Sequence, residues 1–251
     1  RYALDDNRLC MRFDTGIETA NPHKLYYALK ELATRADKQD DLLVQDFDSL
    51  QPFDTDHIET IPDAEKEVKY QFLQQWIHET IQLVEPLDAD KLSNGIAHVL
   101  LNLAYRIDYL LVPEGRLLFE LEALVNGYFA KDDLPVVDKN KTMMQAFRKI
   151  AAKTREEIFP HFYRSKHTFA ITQPQQHKTI SDTIFNANQN MFWFRDNNQP
   201  DVARQISEYG ISYCQYNFSM PKPLTDLYHL LLMVVYSNYF LRLGFVQQLY
   251  D

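Results

Sequence analysis

The sequence predicts an all-α protein, a multi-helix bundle of about eight helices, and three observations carry that prediction. Glycine is scarce, with 6 in 251 residues, and the 11 prolines fall mostly between apolar-periodic segments, where they punctuate helices. Within those segments the apolar residues recur at three- and four-residue intervals. A hydrophobic fraction of 45%, with 13% aromatic, excludes a disordered chain and is enough for a large core.

The first helix is signalled by Asn21 as N-cap and Pro22 at the first helical position, with Leu25, Ala28, Leu29, Leu32 and Ala33 on one face. It is expected to stop near Asp37. In residues 37–61 acids alternate with Leu42, Leu43, Val44, Phe47, Leu50 and Phe53 without a sustained period, which reads as a long loop or strap. Pro62 opens a second helix that turns Val68, Leu73, Trp76, Ile77, Ile81 and Val84 inward and closes at Glu85-Pro86. A third runs from Ser93 to Val112 on Ile96, Val99, Leu100, Leu103, Ile107 and Leu110, and a fourth starts at Pro113 with Leu117, Leu121, Leu124 and Val125. Short connections make these antiparallel neighbours.

A fifth helix carries Met143, Phe147, Ile150, Ala151 and Ile158 and ends at Pro160. Residues 161–174 read as irregular, with a short strand at 168–172. Ile180, Ile184, Ala187 and Met191 mark a sixth helix, residues 200–218 a seventh and residues 224–249 a long eighth. The eighth approaches the length of a membrane span but holds His229, Ser237, Asn238 and Arg242 and lacks a polybasic flank, so it reads as a helix buried on most sides, with no membrane span. Residues 1–135 form an N-terminal lobe with the acidic strap at 37–67, and residues 136–251 a C-terminal lobe, unless the two are one continuous domain.

Charge is distributed unevenly. Residues 37–67 hold eleven Asp/Glu against Lys38 and Lys66, which accounts for the whole net charge of −9. Residues 139–178 hold nine Lys/Arg against Glu156 and Glu157. Such a bipolar chain makes a charged contact, within itself or with a partner. The basic stretch also admits a phosphate-binding surface, but the acidic whole, with a pI near 5.4, argues against nucleic acid.

Catalytic signatures are lacking. Cys10 and Cys214 have neither CxxC spacing nor histidine companions, so no disulfide framework or zinc site is indicated, and a reduced, cytoplasmic setting is the weak default. The chain opens at Arg1 without Met, which leaves open a removed leader or another domain ahead of it and weakens the cytoplasmic reading. His78-Glu79 begins an HExxH pattern, yet Gln82 stands where the second histidine belongs, and no Glu-x-x-His occurs for a di-iron centre. Asp46-Phe-Asp48-Ser superficially resembles the DxD opening of haloacid-dehalogenase-type phosphatases, but it lacks both the strand–helix alternation and the following Gly-Thr. Asp54-Thr-Asp56-His57 has no EF-hand glycine. No cofactor or metal is predicted.

Two polar stripes and a tyrosine cluster remain. His98, Asn102 and Arg106 follow at i, i+4 and i+8 on the third helix, and Asn238 and Arg242 stand one turn apart on the eighth. Facing inward, they would form a centre able to hold a small anionic or aromatic ligand, with Arg106 and Arg242 clamping it and His98 carrying a proton; facing outward, they are solvated margins. Tyr209, Tyr213 and Tyr216 fall at i, i+4 and i+7 on the seventh helix, a pattern suited to interfaces or pocket walls. The reading that results is a soluble, non-enzymatic interaction protein (an adaptor, chaperone-like or regulatory subunit). It would bind a protein partner, or a second copy of itself, through Asp40, Asp41, Asp46, Phe47, Asp48 and Phe53 of the strap and through Tyr209, Tyr213 and Tyr216. The alternative is a ligand-binding protein or enzyme built on His98, Asn102, Arg106, Asn238 and Arg242.

Overall fold

A computed structural model of the chain describes residues 1–52, 55–166 and 172–245, apart from the side chain of Asp41. The expected strand at 168–172, the end of the eighth helix and Phe53 therefore lie outside the described residues or at their edge. Among the described residues, ten α-helices and a few short strands make up the all-α fold that the periodicity predicts. Contacts group the described residues of 1–57 into one compact unit and those of 58–166 and 172–245 into a second. Residues 131–140 fall inside the second unit.

In the first unit, strands β1 (Tyr2–Asp5) and β2 (Arg8–Met11) pair antiparallel across a two-residue turn. Asp6 and Asn7 occupy that turn with φ of 44° and 65°, the left-handed pair that tight hairpins require and that short polar side chains tolerate. Helix α1 (Pro22–Asp46) begins as read, with the Asn21 side chain accepting from the Lys24 N–H at 2.9 Å. It then continues nine residues beyond Asp37, so the first part of the strap is helical rather than a loop. Ala36, Gln39, Asp40, Leu43 and Val44 recur at helical spacing, a period that the intervening acids obscure. No described residue of this unit is buried.

The second unit holds the core. Helices α2 (Asp63–Val84), α3 (Ser93–Arg106), α4 (Gly115–Phe129) and α5 (Val136–Ala151) pack together, and β3 (Ile58–Thr60) pairs antiparallel with β4 (Tyr163–Ser165). The fifth helix of the sequence reading is interrupted at Ala152. Thr154 then starts the short α6 (Arg155–Ile158) with a capping box, its hydroxyl on the Glu157 N–H and the Glu157 carboxylate on its own N–H. Strand β5 (Gln173–Pro174) precedes α7 (His177–Asp196) and α8 (Pro200–Asn217), and runs parallel to β6 (Phe218–Ser219).

The eighth helix is two. Tyr236 leaves helical geometry (φ −111°, ψ 36°) and separates α9 (Lys222–Val235) from α10 (Ser237–Arg242). Nor is α9 buried on most sides: Tyr228 and Leu232 face inward, whereas Leu224, Leu227, Leu230, Leu231, Val234 and Val235 are exposed. No described helix is long and apolar enough to cross a membrane.

The opposed charge stretches meet in part. Arg164, beside Glu59 in the β3–β4 register, pairs with Glu65 at 2.8 Å, and Arg155 pairs with Glu67 at 2.8 Å. The acids of 59–67 thus match the basic stretch internally.

Helices α7 and α8 lie close because Gly210 has no side chain; a Cβ there would stand 2.6 Å from that of Ala187. Gly210→Ala is expected to destabilise the protein by about 1–3 kcal/mol through forced overpacking. Gly127→Ala, whose Cβ meets nothing within 4 Å, is expected to stabilise α4 by up to about 1 kcal/mol. Urea unfolding of the two variants beside the parent measures both.

Candidate functional site

The i, i+4, i+8 stripe of α3 faces inward. Asn102 is fully buried and Arg106 is 3% exposed, so the structure adopts the inward alternative. A guanidinium at that depth demands a partner, and α8 supplies a complementary stripe at i, i+3 and i+7: Gln205, Glu208 and Ser212, all buried. Arg106 donates through Nη2 to Gln205 Oε1 at 2.5 Å and through Nε to Glu208 Oε1 at 3.4 Å. Asn102 Nδ2 donates to the same Gln205 oxygen at 2.9 Å, and Ser212 Oγ donates to Asn102 Oδ1 at 2.7 Å. Tyr236 completes the group by donating to Glu208 Oε2 at 2.6 Å, while the guanidinium lies 4.6 Å from its ring centroid and 5.7 Å from that of Trp76.

The break between α9 and α10 therefore stands at the residue whose hydroxyl reaches Glu208. Positive and negative charge balance within the group. Sequence reading missed Gln205, Glu208 and Ser212, although they too fall on one helical face.

Aromatic rings extend the same contact. His98 stacks on Tyr209 with centroids 4.5 Å apart, and Tyr105 lies 6.1 Å from Tyr209 and 4.6 Å from Tyr216. Rings at i and i+7 of α3 thus interleave with rings at i and i+7 of α8. Tyr209, Tyr213 and Tyr216 are half-buried in this helix pair, where ring packing against α3 meets the need for partial burial that their pattern signals. Burial lowers the His98 pKa to about 4, so its ring is neutral at pH 7.

The remaining residues of the ligand-binding alternative are elsewhere. Asn238 is exposed on α10, and Arg242, also exposed, donates to Gln71 of α2 and lies 5.6 Å from the Phe72 ring centroid. Arg106 and Arg242 are engaged with different helices.

Of the strap residues, Asp40 and Asp46 lie on α1, and Asp46, Phe47 and Asp48 are exposed around its C-terminus. Asp40 borders an open groove of about 800 Å³ within the first unit. Tyr2, Leu9 and Met11 of the hairpin and Leu43, Val44 and Leu50 provide its apolar lining, and Asp5 and Asp6 add carboxylates beside Asp40, against one basic residue, Arg8. No cluster of three or more His, Cys, Asp or Glu among the described residues is placed to hold a metal ion.

Arg106→Met is expected to cost about 3–5 kcal/mol, because it leaves the buried Glu208 carboxylate without its cation. Adding Glu208→Gln is expected to recover part of that loss, and a double-mutant cycle in urea reads the coupling. For His98, the unfolded chain takes up a proton below about pH 6.5 and the folded chain only near 4. The lowered pKa therefore withdraws stability as pH falls across that window, and His98→Gln is expected to flatten the pH dependence of Tm between 6.5 and 4.5 relative to the parent.

No family model, curated protein or solved structure matches this chain.

Proposed function

We propose that this chain is a non-enzymatic interaction protein whose N-terminal unit binds a basic, apolar segment of a partner protein. One observation carries the reading: among the described residues of 1–57 none is buried, although the unit has a hairpin, a 25-residue helix and many apolar side chains. Leu4, Leu9, Ile17, Leu25, Tyr26, Tyr27, Leu29 and Phe47 are all exposed. Apolar surface left in water is a source of binding free energy, at roughly 25 cal/mol per Å² removed from solvent.

The chemistry of the partner follows from the groove. Its apolar lining suits leucine-like anchors, and Asp5, Asp6 and Asp40 on its rim suit lysine or arginine beside them. A net charge of −9 would steer such a segment into place. The interior centre supports the anion-binding alternative less well, since Glu208 already neutralises Arg106.

A labelled amphipathic peptide of lysine and leucine serves as the probe, with binding read by fluorescence anisotropy. The parent is expected to bind it, more weakly as salt rises. Asp40→Asn with Asp5→Asn, and separately Leu43→Ser, are each expected to weaken binding at least tenfold. Asp88→Asn with Asp90→Asn, remote in sequence and exposed, is expected to leave it unchanged. Equal losses in all three variants, or none in the groove variants, would overturn the reading, as would a dimer in light scattering that Leu43→Ser dissociates, since the groove would then belong to a second copy.

A further inference from the structure

A separate feature of the second unit has no part in that reading. Beyond Arg106 the helix does not stop but widens into a π-turn over Ile107–Leu111, and Val112 then takes the left-handed conformation with φ 47°. A β-branched residue adopts that backbone only when its surroundings hold it there, and π-turns recur at functional sites. Two side chains hold this one: Lys69 Nζ donates to the Leu111 carbonyl at 2.8 Å, and the Tyr239 hydroxyl to that of Leu110 at 2.7 Å.

The widened turn contributes Asp108 and Tyr109 to a cavity of about 50 Å³, completed by Tyr105 and by residues of α8 and α9. Three oxygens around it are buried without a hydrogen bond: the hydroxyls of Tyr105 and Tyr228, both 2% exposed, and Gln215 Oε1. The nearest polar side chains, Asn217 beside Tyr105 and Ser212 beside Tyr228, act against the burial that raises the pKa of those hydroxyls but direct their own hydrogen bonds to the Tyr213 carbonyl at 2.9 Å and to Asn102. Leaving one such group unsatisfied costs about 1–3 kcal/mol, so three around one hole indicate a hydrogen-bonding occupant, and Gln215 Oε1, which can only accept, requires that it donate.

We propose that this cavity is a binding site for an ammonium group, as the free ion or as the head of a primary amine. The lining has a carboxylate, Asp108, and no basic side chain, which disfavours an anion. Its four tyrosines are packed against one another, with Tyr105 4.6 Å from Tyr216 and Tyr109 5.5 Å from Tyr228, and aromatic rings attract cations. Carboxylates in and beyond the lining act on its tyrosines. After burial itself, Asp108 and Glu122 raise the Tyr216 pKa, Asp226 raises that of Tyr109, and Glu208 raises that of Tyr228, where Ser212 and Arg106 oppose it. An ammonium brings N–H donors to all three unsatisfied oxygens, and the volume admits on the order of one to a few water-sized groups, too few for a quaternary amine.

Thermal unfolding in ammonium chloride, methylammonium chloride, potassium chloride, sodium chloride and tetramethylammonium chloride at matched ionic strength tests this. Ammonium and methylammonium are expected to raise Tm saturably above the sodium baseline, and tetramethylammonium to do nothing. In Tyr228→Phe and Gln215→Leu, each compared with its own sodium baseline, the half-saturating concentration is expected to rise at least tenfold. Circular dichroism shows which variant is folded, and Asp108→Asn at the half-exposed rim provides a third. An identical response to all five salts would mean a water-filled hole and overturn the proposal. So would a potassium response equal to that of ammonium, or an ammonium response that survives in the folded variants.

Discussion

One constraint organises the second unit: Arg106 is buried, and a buried guanidinium must be matched in charge and in hydrogen bonds. Glu208 supplies the charge, Gln205 takes the shortest bond, and Tyr236 and Trp76 provide aromatic faces. Because Asn102, Gln205 and Ser212 share those bonds, sliding α3 along α8 by one residue would unsatisfy several buried groups at once. Register between these helices is thus set by polarity, while the interleaved rings of His98, Tyr105, Tyr209 and Tyr216 fill the space beside it. A match so complete within the chain acts as a lock and leaves no unbalanced charge for a ligand.

The same end of α3 shows how backbone irregularity is tolerated. A π-turn and a left-handed valine expose carbonyls that a continuing helix would satisfy, and Lys69 and Tyr239 reach across to two of them. Lys69 is buried in doing so, and burial lowers its pKa, with Glu65 opposing at 3.7 Å. Packing of α2 and α10 is therefore coupled to the shape of the turn that opens the tyrosine-lined cavity.

Charge divides between two uses. Glu65 and Glu67 pair with Arg164 and Arg155 of the basic stretch, and because the arginines are about half exposed these pairs contribute modestly, at about 0–1 kcal/mol each. The acids on and after the C-terminal half of α1 belong to a unit with no buried residue among those described, where an excess of negative charge and uncovered apolar surface coexist. That combination, rather than acidity alone, is what distinguishes a binding segment from a solvated one.

Helical class was legible because apolar spacing, proline punctuation and scarce glycine are local properties, and the starts of α1 at Asn21-Pro22 and α8 at Pro200 follow directly from them. The run of α1 past Asp37 was hidden because dense acids mask a period carried by Ala36, Gln39, Leu43 and Val44. The breaks at Ala152 and Tyr236 were hidden for another reason: Thr154 caps locally, but Tyr236 turns aside where its hydroxyl reaches Glu208, 28 residues earlier. His98, Asn102 and Arg106 could be read as one stripe from the sequence alone. Whether it faced water or protein depended on Gln205, Glu208 and Ser212, about a hundred residues away, and only packing decides such a pairing. The sequence by itself determined the helices, their apolar faces and the two opposed charge blocks; tertiary structure alone decided which polar groups satisfy one another, because buried hydrogen bonds are made between elements and leave no periodicity in either.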